Sequence, residues 1–266
     1  MAARARFQQW SVILIVGHKR MEKTSAPIFP IARASRRRVV VIYTLIAMFV
    51  GLLVAGGIML SHAKATADRM IAVGRLSQMV TALWIYEDEN GTLPPLCLRD
   101  KLGAPLQSWR ALVLPHLGSP ELPKQMDLSQ PWNSDFNRRL TDAVPPENWV
   151  WFALKRPTTL PISTHILAYV GRGSIWDERT GLAKGRMSEH RGAILLVWVP
   201  ESNFHPLQPG DITEEEVRER VEKGQQILFV AADRETGSSG IVTLERGELV
   251  FRTRQQLPDR REGRHL

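Results

Sequence analysis

The longest apolar run in the chain lies near its N-terminus, where no charged side chain occurs from Val39 to Leu60. A helix of roughly 22 residues rises about 33 Å, slightly more than the hydrocarbon core of a bilayer, which is about 30 Å thick. The run therefore predicts a transmembrane helix over residues 39–61. A cleaved export signal is the alternative, because Ser61 and Ala63 resemble a small-x-small cleavage site, although the apolar region of such signals is shorter, about 7–15 residues.

Apolar side chains continue at intervals of three and four residues along residues 62–90, at Val73, Leu76, Val80 and Leu83. This spacing is that of an amphipathic helix. The helix should end at Asn90 and Gly91, because the turn there is followed by Pro94 and Pro95, which cannot continue a helix. No Gly-Pro break separates the two segments, so one helix of about fifty residues is predicted. The alternative is an anchor, a short break and a separate first helix of the domain.

Beyond residue 90 the pattern changes to short apolar segments bounded by glycine and proline, which predicts strands. One helix between them is well marked, because Thr213 is a candidate N-cap, Glu216 completes a capping box and Gly224 lies just past the end. A long N-terminal helix packed on a mostly antiparallel β-sheet is an α+β fold. The predicted strands lie within 164–171, 192–200 and 225–233, with two more in 240–253 that join as a hairpin at Glu245 to Glu248.

The positive charge is concentrated at the N-terminus. Residues 1–38 carry nine Lys and Arg and one acidic residue, which accounts for the formal net charge of +8. The remainder is neutral and lacks the basic surface that nucleic-acid binding requires, so no nucleic-acid partner is expected. Arg36, Arg37 and Arg38 precede the apolar run, and the positive-inside rule keeps them in the cytoplasm. The predicted location is the inner membrane, single-pass, with the C-terminal domain in the periplasm.

These patterns divide the chain into four parts, and the only cysteine, Cys97, excludes a disulfide within it. The parts are a basic cytoplasmic arm (1–38), a transmembrane helix (39–61), an α+β domain (62–254, with its helix at 62–90 and its sheet region at 91–254) and a flexible charged tail (255–266).

Several motifs follow one another in a fixed order after the apolar run: LSQMVTALWIYEDENGTLPP, SWRALVLPHL, DLSQPWNSDFN, HILAYVGRGSIWD, ILLVWVPESNFHPLQPGDIT and ILFVAADRETGSSGIVTLERGELVF. Together they resemble those of a bacterial pilin-like family of unknown function, DUF1559, and the long helix before a sheet is similar to the architecture of pilins and pseudopilins. The resemblance covers about residues 40–252.

The resemblance implies a non-enzymatic membrane protein that is a structural or accessory subunit of a secretion-like or cell-surface assembly. Its partners would be membrane lipid and, through the N-terminal helix, copies of itself or other pilin-like subunits. The chain departs from the family's prepilin signal, because Ile42 stands where the cleaved glycine would be and Ala47 replaces the glutamate. The alternative is therefore a membrane-tethered periplasmic module that binds glycan or protein ligands.

The loop DLSQPWNSDFN offers oxygen-bearing side chains at alternate positions, with Asp127, Asn133 and Asp135 as candidate calcium ligands. Turns use the same residue types for backbone hydrogen bonds, and the loop lacks the glycine pivot and bidentate glutamate of common calcium loops. Both interpretations predict a polar loop that leads into a short helix, and no other cofactor is expected.

Trp149 and Trp151 flank Val150 in ENWVWF, the alternation of one face of a strand. Such rings could stack on a sugar ligand at the surface or pack in the core. No catalytic residue is predicted, because Cys97 lacks any nucleophile signature with His116 or His190, and a lone cysteine of this kind is typical of a small buried apolar side chain.

Overall fold

A computed structural model describes residues 36–118, 121–153, 162–200, 202–233 and 238–253. The predicted charged tail and nearly all of the predicted basic arm lie outside these residues. The chain divides into two units, residues 1–56 and 57–266, and each is described by itself.

Helix α1 runs from Arg36 to Asn90 without interruption, which confirms the prediction of one continuous helix. Its end is where the sequence places it, because Gly91 takes a left-handed conformation (φ 77°) and donates its N–H to the carbonyl of Glu87. The side chain of Asn90 donates to the carbonyl of Tyr86 and so satisfies another terminal acceptor.

In the first unit, the side chains of α1 from Val40 to Gly56 are exposed throughout. In the second unit, the helix buries one face against the domain, at Ala72, Leu76, Met79 and Leu83. These positions include the apolar stripe seen in the sequence, and the predicted amphipathic packing of residues 62–90 is confirmed.

The sheet of the second unit has six strands in the order β5-β3-β4-β6-β7-β8, and a separate two-stranded hairpin is formed by β1 and β2. All neighbouring strands are antiparallel except β3 and β5, which pair in parallel. The strands are β1 (Cys97–Arg99), β2 (Pro105–Ser108), β3 (Ile166–Val170), β4 (Ile194–Trp198), β5 (Ile212–Thr213), β6 (Ile227–Ala231), β7 (Ser239–Glu245) and β8 (Glu248–Thr253).

Shorter helices fill the connections, and the predicted capping box is present: the Thr213 hydroxyl accepts from the Glu216 N–H, and the Glu216 carboxylate accepts from the Thr213 N–H. They are α2 (Trp109–Val113), α3 (Glu121–Gln125), α4 (Asp135–Ala143) and α5 (Glu214–Glu222), with 3₁₀ helices at Leu114–Leu117 and Pro146–Phe152.

Both faces of the sheet are covered. One face packs on α1 and α2 through a core that includes Leu76, Trp109 and Leu196. The other face packs on α5 through a second core that includes Val217 and Phe229. The α+β fold, with the long N-terminal helix on a mostly antiparallel sheet, is confirmed, and the covering of the second face by α5 was not foreseen.

The hairpin β7–β8 has the predicted position, because Glu245 pairs with Glu248. Its two loop residues, Arg246 and Gly247, have φ values of 52° and 82°. Positive φ at both positions is the requirement of the type I′ turn, whose twist matches that of the strands it joins.

The prediction of a strand at Trp149 and Trp151 is wrong. Residues Pro146–Phe152 form a 3₁₀ helix with a proline in its first turn. Proline fixes φ near the helical value and removes a donor that a first turn does not use, so Pro145 and Pro146 favour a helical start here. An alternation over three residues was too short to indicate a strand.

Candidate functional site

A buried arginine, Arg110, lies in the second unit and has no solvent exposure. Ser108 caps α2 and sets the backbone so that Arg110 enters the first turn facing the sheet. Its Nη2 donates to Asp211 Oδ1 at 2.8 Å and to the carbonyl of Gly210 at 3.0 Å, and its Nε donates to the carbonyl of Ile166 at 3.0 Å. Nη1 donates to the hydroxyl of Ser108. The guanidinium therefore ties α2 to β3 and to the segment before β5.

Asp211 is the ion-pair partner of Arg110, and its side chain is 6% exposed. Its Oδ1 accepts from Arg110, from the indole N–H of Trp109 at 3.0 Å and from the N–H of Ala168 at 2.8 Å. Burial raises the pKa of the Asp211 carboxyl, and the Arg110 guanidinium opposes that shift. Sequence inspection missed this pair, because its members lie about a hundred residues apart and no local pattern marks either of them.

A cleft of about 400 Å³ lies beside the pair. It is bounded by the hairpin β1–β2, by the turn at residues 177–181 and by the segment 209–213. The Asp177 carboxylate holds that turn by accepting from the N–H groups of Arg179 and Thr180, at 3.1 and 2.8 Å. Its lining combines both signs of charge with a buried carboxylate.

A second cluster is aromatic. His205 stacks on Trp132 with ring centroids 4.9 Å apart and meets the edge of Trp149 at 5.7 Å. Its Nδ1 accepts the N–H of Leu207 at 3.2 Å, which fixes a neutral tautomer. Burial among these rings lowers the pKa of His205 from 6.5 to about 4.

This pKa predicts a loss of stability in mild acid. The unfolded chain takes up a proton at His205 below pH 6.5, whereas the folded chain does so only near pH 4, so stability falls as the pH drops between these values. We expect a loss of about 3 kcal/mol between pH 7 and pH 4 from this group. Thermal melts across that range should show a weaker pH dependence for His205→Phe. An unchanged pH dependence of stability in that variant would contradict the assignment to His205. Burial also lowers the pKa of His165, which accounts for the pH dependence that remains in the variant.

The predicted calcium loop is occupied by turn hydrogen bonds. The Asp127 carboxylate accepts from the N–H and hydroxyl of Ser129, at 3.0 and 2.6 Å, and from the side chain of Gln130 at 2.7 Å. These hydrogen bonds lower the pKa of Asp127. Asn133 and Asp135 are exposed, and Asp135 opens α4. The turn interpretation is confirmed, and calcium binding stays a prediction.

The two predicted stacking residues are in different environments. Trp149 is 2% exposed and packs on Phe152 and His205, so its ring is not available to a surface ligand. Trp151 is half-buried, with the guanidinium of Arg75 over its ring at 5.2 Å. Stacking on a ligand is therefore not retained for Trp149, and for Trp151 it stays a prediction.

The residues considered for catalysis are not assembled. Cys97 Sγ hydrogen-bonds to the carbonyl of Leu98, and burial raises the pKa of its thiol, which is opposite to the activation of a nucleophile. His116 lies by Glu89, with Nε2 3.7 Å from a carboxylate oxygen, and against Tyr86. Across the described ranges no hydrogen bond joins Cys97 to a histidine, and no group of three or more His, Cys, Asp or Glu is placed to hold a metal ion.

One helix in the described part of the chain, α1, is long and apolar enough to cross a membrane. Its apolar segment from Val40 to Leu60 is exposed along its whole length. Such a surface is compatible with a single-pass membrane anchor. Arg36, Arg37 and Arg38 form its first turn, but their side chains lie outside the description, so the predicted orientation is not tested.

The chain belongs to the family described as "Protein of unknown function (DUF1559)", whose sequence profile matches residues 61–193. The match includes the second half of α1, Trp109, Arg110 and strand β3. The resemblance found in the sequence motifs is thereby confirmed. No curated protein and no solved structure matches the chain.

Proposed function

We propose that this protein is a non-enzymatic, membrane-anchored, pilin-like subunit or accessory of a secretion-like or cell-surface assembly. The observation that carries the proposal is the exposed apolar surface of α1 from Val40 to Leu60, on a helix whose later turns form the core of a domain. A helix that is packed in a domain at one end and is apolar and exposed at the other has its exposed end available for lipid and for lateral contact with other helices. Membership of the DUF1559 family fits a membrane-anchored, pilin-like protein.

The sequence of the apolar segment suggests which face makes that contact. Ala47, Gly51 and Ala55 recur every four residues and so lie on one face of α1. Helices in membranes approach closely where small residues line the interface. Phe49 and Leu53 lie on the opposite face, which would then meet lipid.

Cysteine crosslinking in cells tests the proposal. In a Cys97→Ala background, single cysteines at Ala47, Gly51 or Ala55 should give crosslinked dimers on mild oxidation. Matched cysteines at Phe49 and Leu53, in the same apolar segment but on the opposite face, should give few crosslinked dimers. Absence of crosslinks at all five positions, in protein shown to be membrane-bound, would count against assembly through this helix.

A further inference from the structure

The cleft beside the buried ion pair is lined by no residue of the apolar segment of α1, and it has the features of a small-molecule site. Its volume of about 400 Å³ falls within the range of such sites, roughly 300–1,000 Å³. Both signs of charge line it, from Arg99 and Arg179 and from Glu178 and Asp211. A small ligand that satisfies both signs must itself carry a cation and an anion.

Asp211 supplies the best-positioned acceptor. All three of its hydrogen bonds reach Oδ1, and Oδ2 accepts none from the residues that the structure describes. The side chain is 94% buried and held by Trp109, Arg110 and Ala168, so Oδ2 is fixed in position at the cleft that Asp211 lines. Oδ2 is not sealed from solvent, so a ligand in the cleft can take the place of water as its hydrogen-bond donor. An ammonium group is a suitable donor.

The arginines supply the complementary anion site. The turn at Asp177 places Arg179 on the cleft, and its guanidinium makes no hydrogen bond to another described residue. Arg99, on β1, donates from Nη1 to the carbonyl of Gly103 and retains its other donors. Guanidinium groups bind carboxylates through paired N–H donors, which makes a carboxylate the matching anion.

We propose that this cleft binds a free α-amino acid. Its carboxylate lies against Arg99 and Arg179, and its ammonium group donates to Asp211 Oδ2. Glu178, which also lines the cleft, adds negative charge. A free α-amino acid carries both groups on one carbon and is small enough for a cleft of about 400 Å³. The inference does not rest on the proposed assembly role, because every residue in it belongs to the second unit and none lies in the apolar segment of α1.

Binding is tested on the full chain in detergent. Each of the twenty common amino acids is added singly and the melting temperature recorded, and the amino acid with the largest shift is titrated by calorimetry. We expect at least one amino acid to raise the melting temperature and to bind, and its N-acetyl and carboxamide derivatives, which each lack one charge, to bind at least about tenfold more weakly. No shift with any amino acid, or equal binding of either derivative, would overturn the proposal.

Substitution then locates the site. Arg179→Gln and Arg99→Gln should each weaken binding of that amino acid by about tenfold or more, because a charge-assisted hydrogen bond is lost. Arg138→Gln is the matched control, since Arg138 is also exposed but lies on α4, and it should leave the affinity unchanged. Both arginines of the cleft are exposed, so the two variants without ligand should melt at the same temperature as the wild type. A loss of affinity would then reflect binding and not folding. Wild-type affinity in the Arg179→Gln and Arg99→Gln variants would place the ligand elsewhere and refute the assignment.

Discussion

Replacing Asp211 by alanine is expected to destabilise the protein by about 3–5 kcal/mol, because the substitution leaves the Arg110 guanidinium buried and unpaired. Arg110 has no exposure and cannot turn to solvent, so its charge must be compensated where it lies. The same substitution removes the acceptor of the Trp109 indole N–H and of the Ala168 N–H, which adds to the cost. Chemical denaturation followed by tryptophan fluorescence measures the effect.

Two variants show whether the cost comes from the unpaired charge. The double variant Arg110→Met, Asp211→Leu removes both charges at similar volume and should recover part of the loss, since buried pairs replaced by apolar residues often cost little. Asp135→Ala, at an exposed position, should cost less than about 1 kcal/mol. A single Asp211→Ala variant as stable as the wild type would show that the pair does not hold α2 to the sheet.

The second large effect concerns the apolar segment of α1. Met48 and Met70 lie on the same helix and are exposed to similar extents, 68% and 64%, but only Met48 falls within the uncharged run. Met48→Arg places a charge near the centre of the predicted span, where insertion costs about 2.5–3.5 kcal/mol. We expect Met48→Arg to move a large part of the protein out of the membrane fraction, measured by fractionation of cells.

Met70→Arg is the matched control, because the same substitution outside the run meets no hydrocarbon. It should leave membrane association unchanged. If Met48→Arg and Met70→Arg are found in the membrane fraction to the same extent, the exposed apolar surface of Val40–Leu60 does not lie in a membrane.

Local signals predicted much of this fold. The helix α1, its end at Asn90 and Gly91, the capping box at Thr213 and the hairpin at Glu245 to Glu248 each depend on residues close together in the sequence. Such elements follow from periodicity, caps and turns, which a single sequence displays. The strands β3, β4 and β6 were equally accessible, because runs of apolar residues bounded by glycine or proline mark them.

The candidate site could not be predicted in the same way. Asp211 meets Arg110 only because β5 pairs in parallel with β3, and that pairing joins segments more than forty residues apart. Asp211 stands in a loop sequence that is equally typical of a turn. The error at Trp149 and Trp151 has a related cause, since three alternating residues carry less information than the two prolines before them.

The central claim, that α1 crosses a membrane and carries the domain to the far side, is tested most directly by labelling with a membrane-impermeant maleimide in spheroplasts. In a Cys97→Ala background, a cysteine at Leu102, which is 94% exposed at the tip of the hairpin β1–β2, should be labelled without permeabilisation. A cysteine at Ser25, before the helix, should be labelled only after permeabilisation. Labelling of Ser25→Cys from outside together with protection of Leu102→Cys, or release of both proteins from the membrane fraction, would contradict the account.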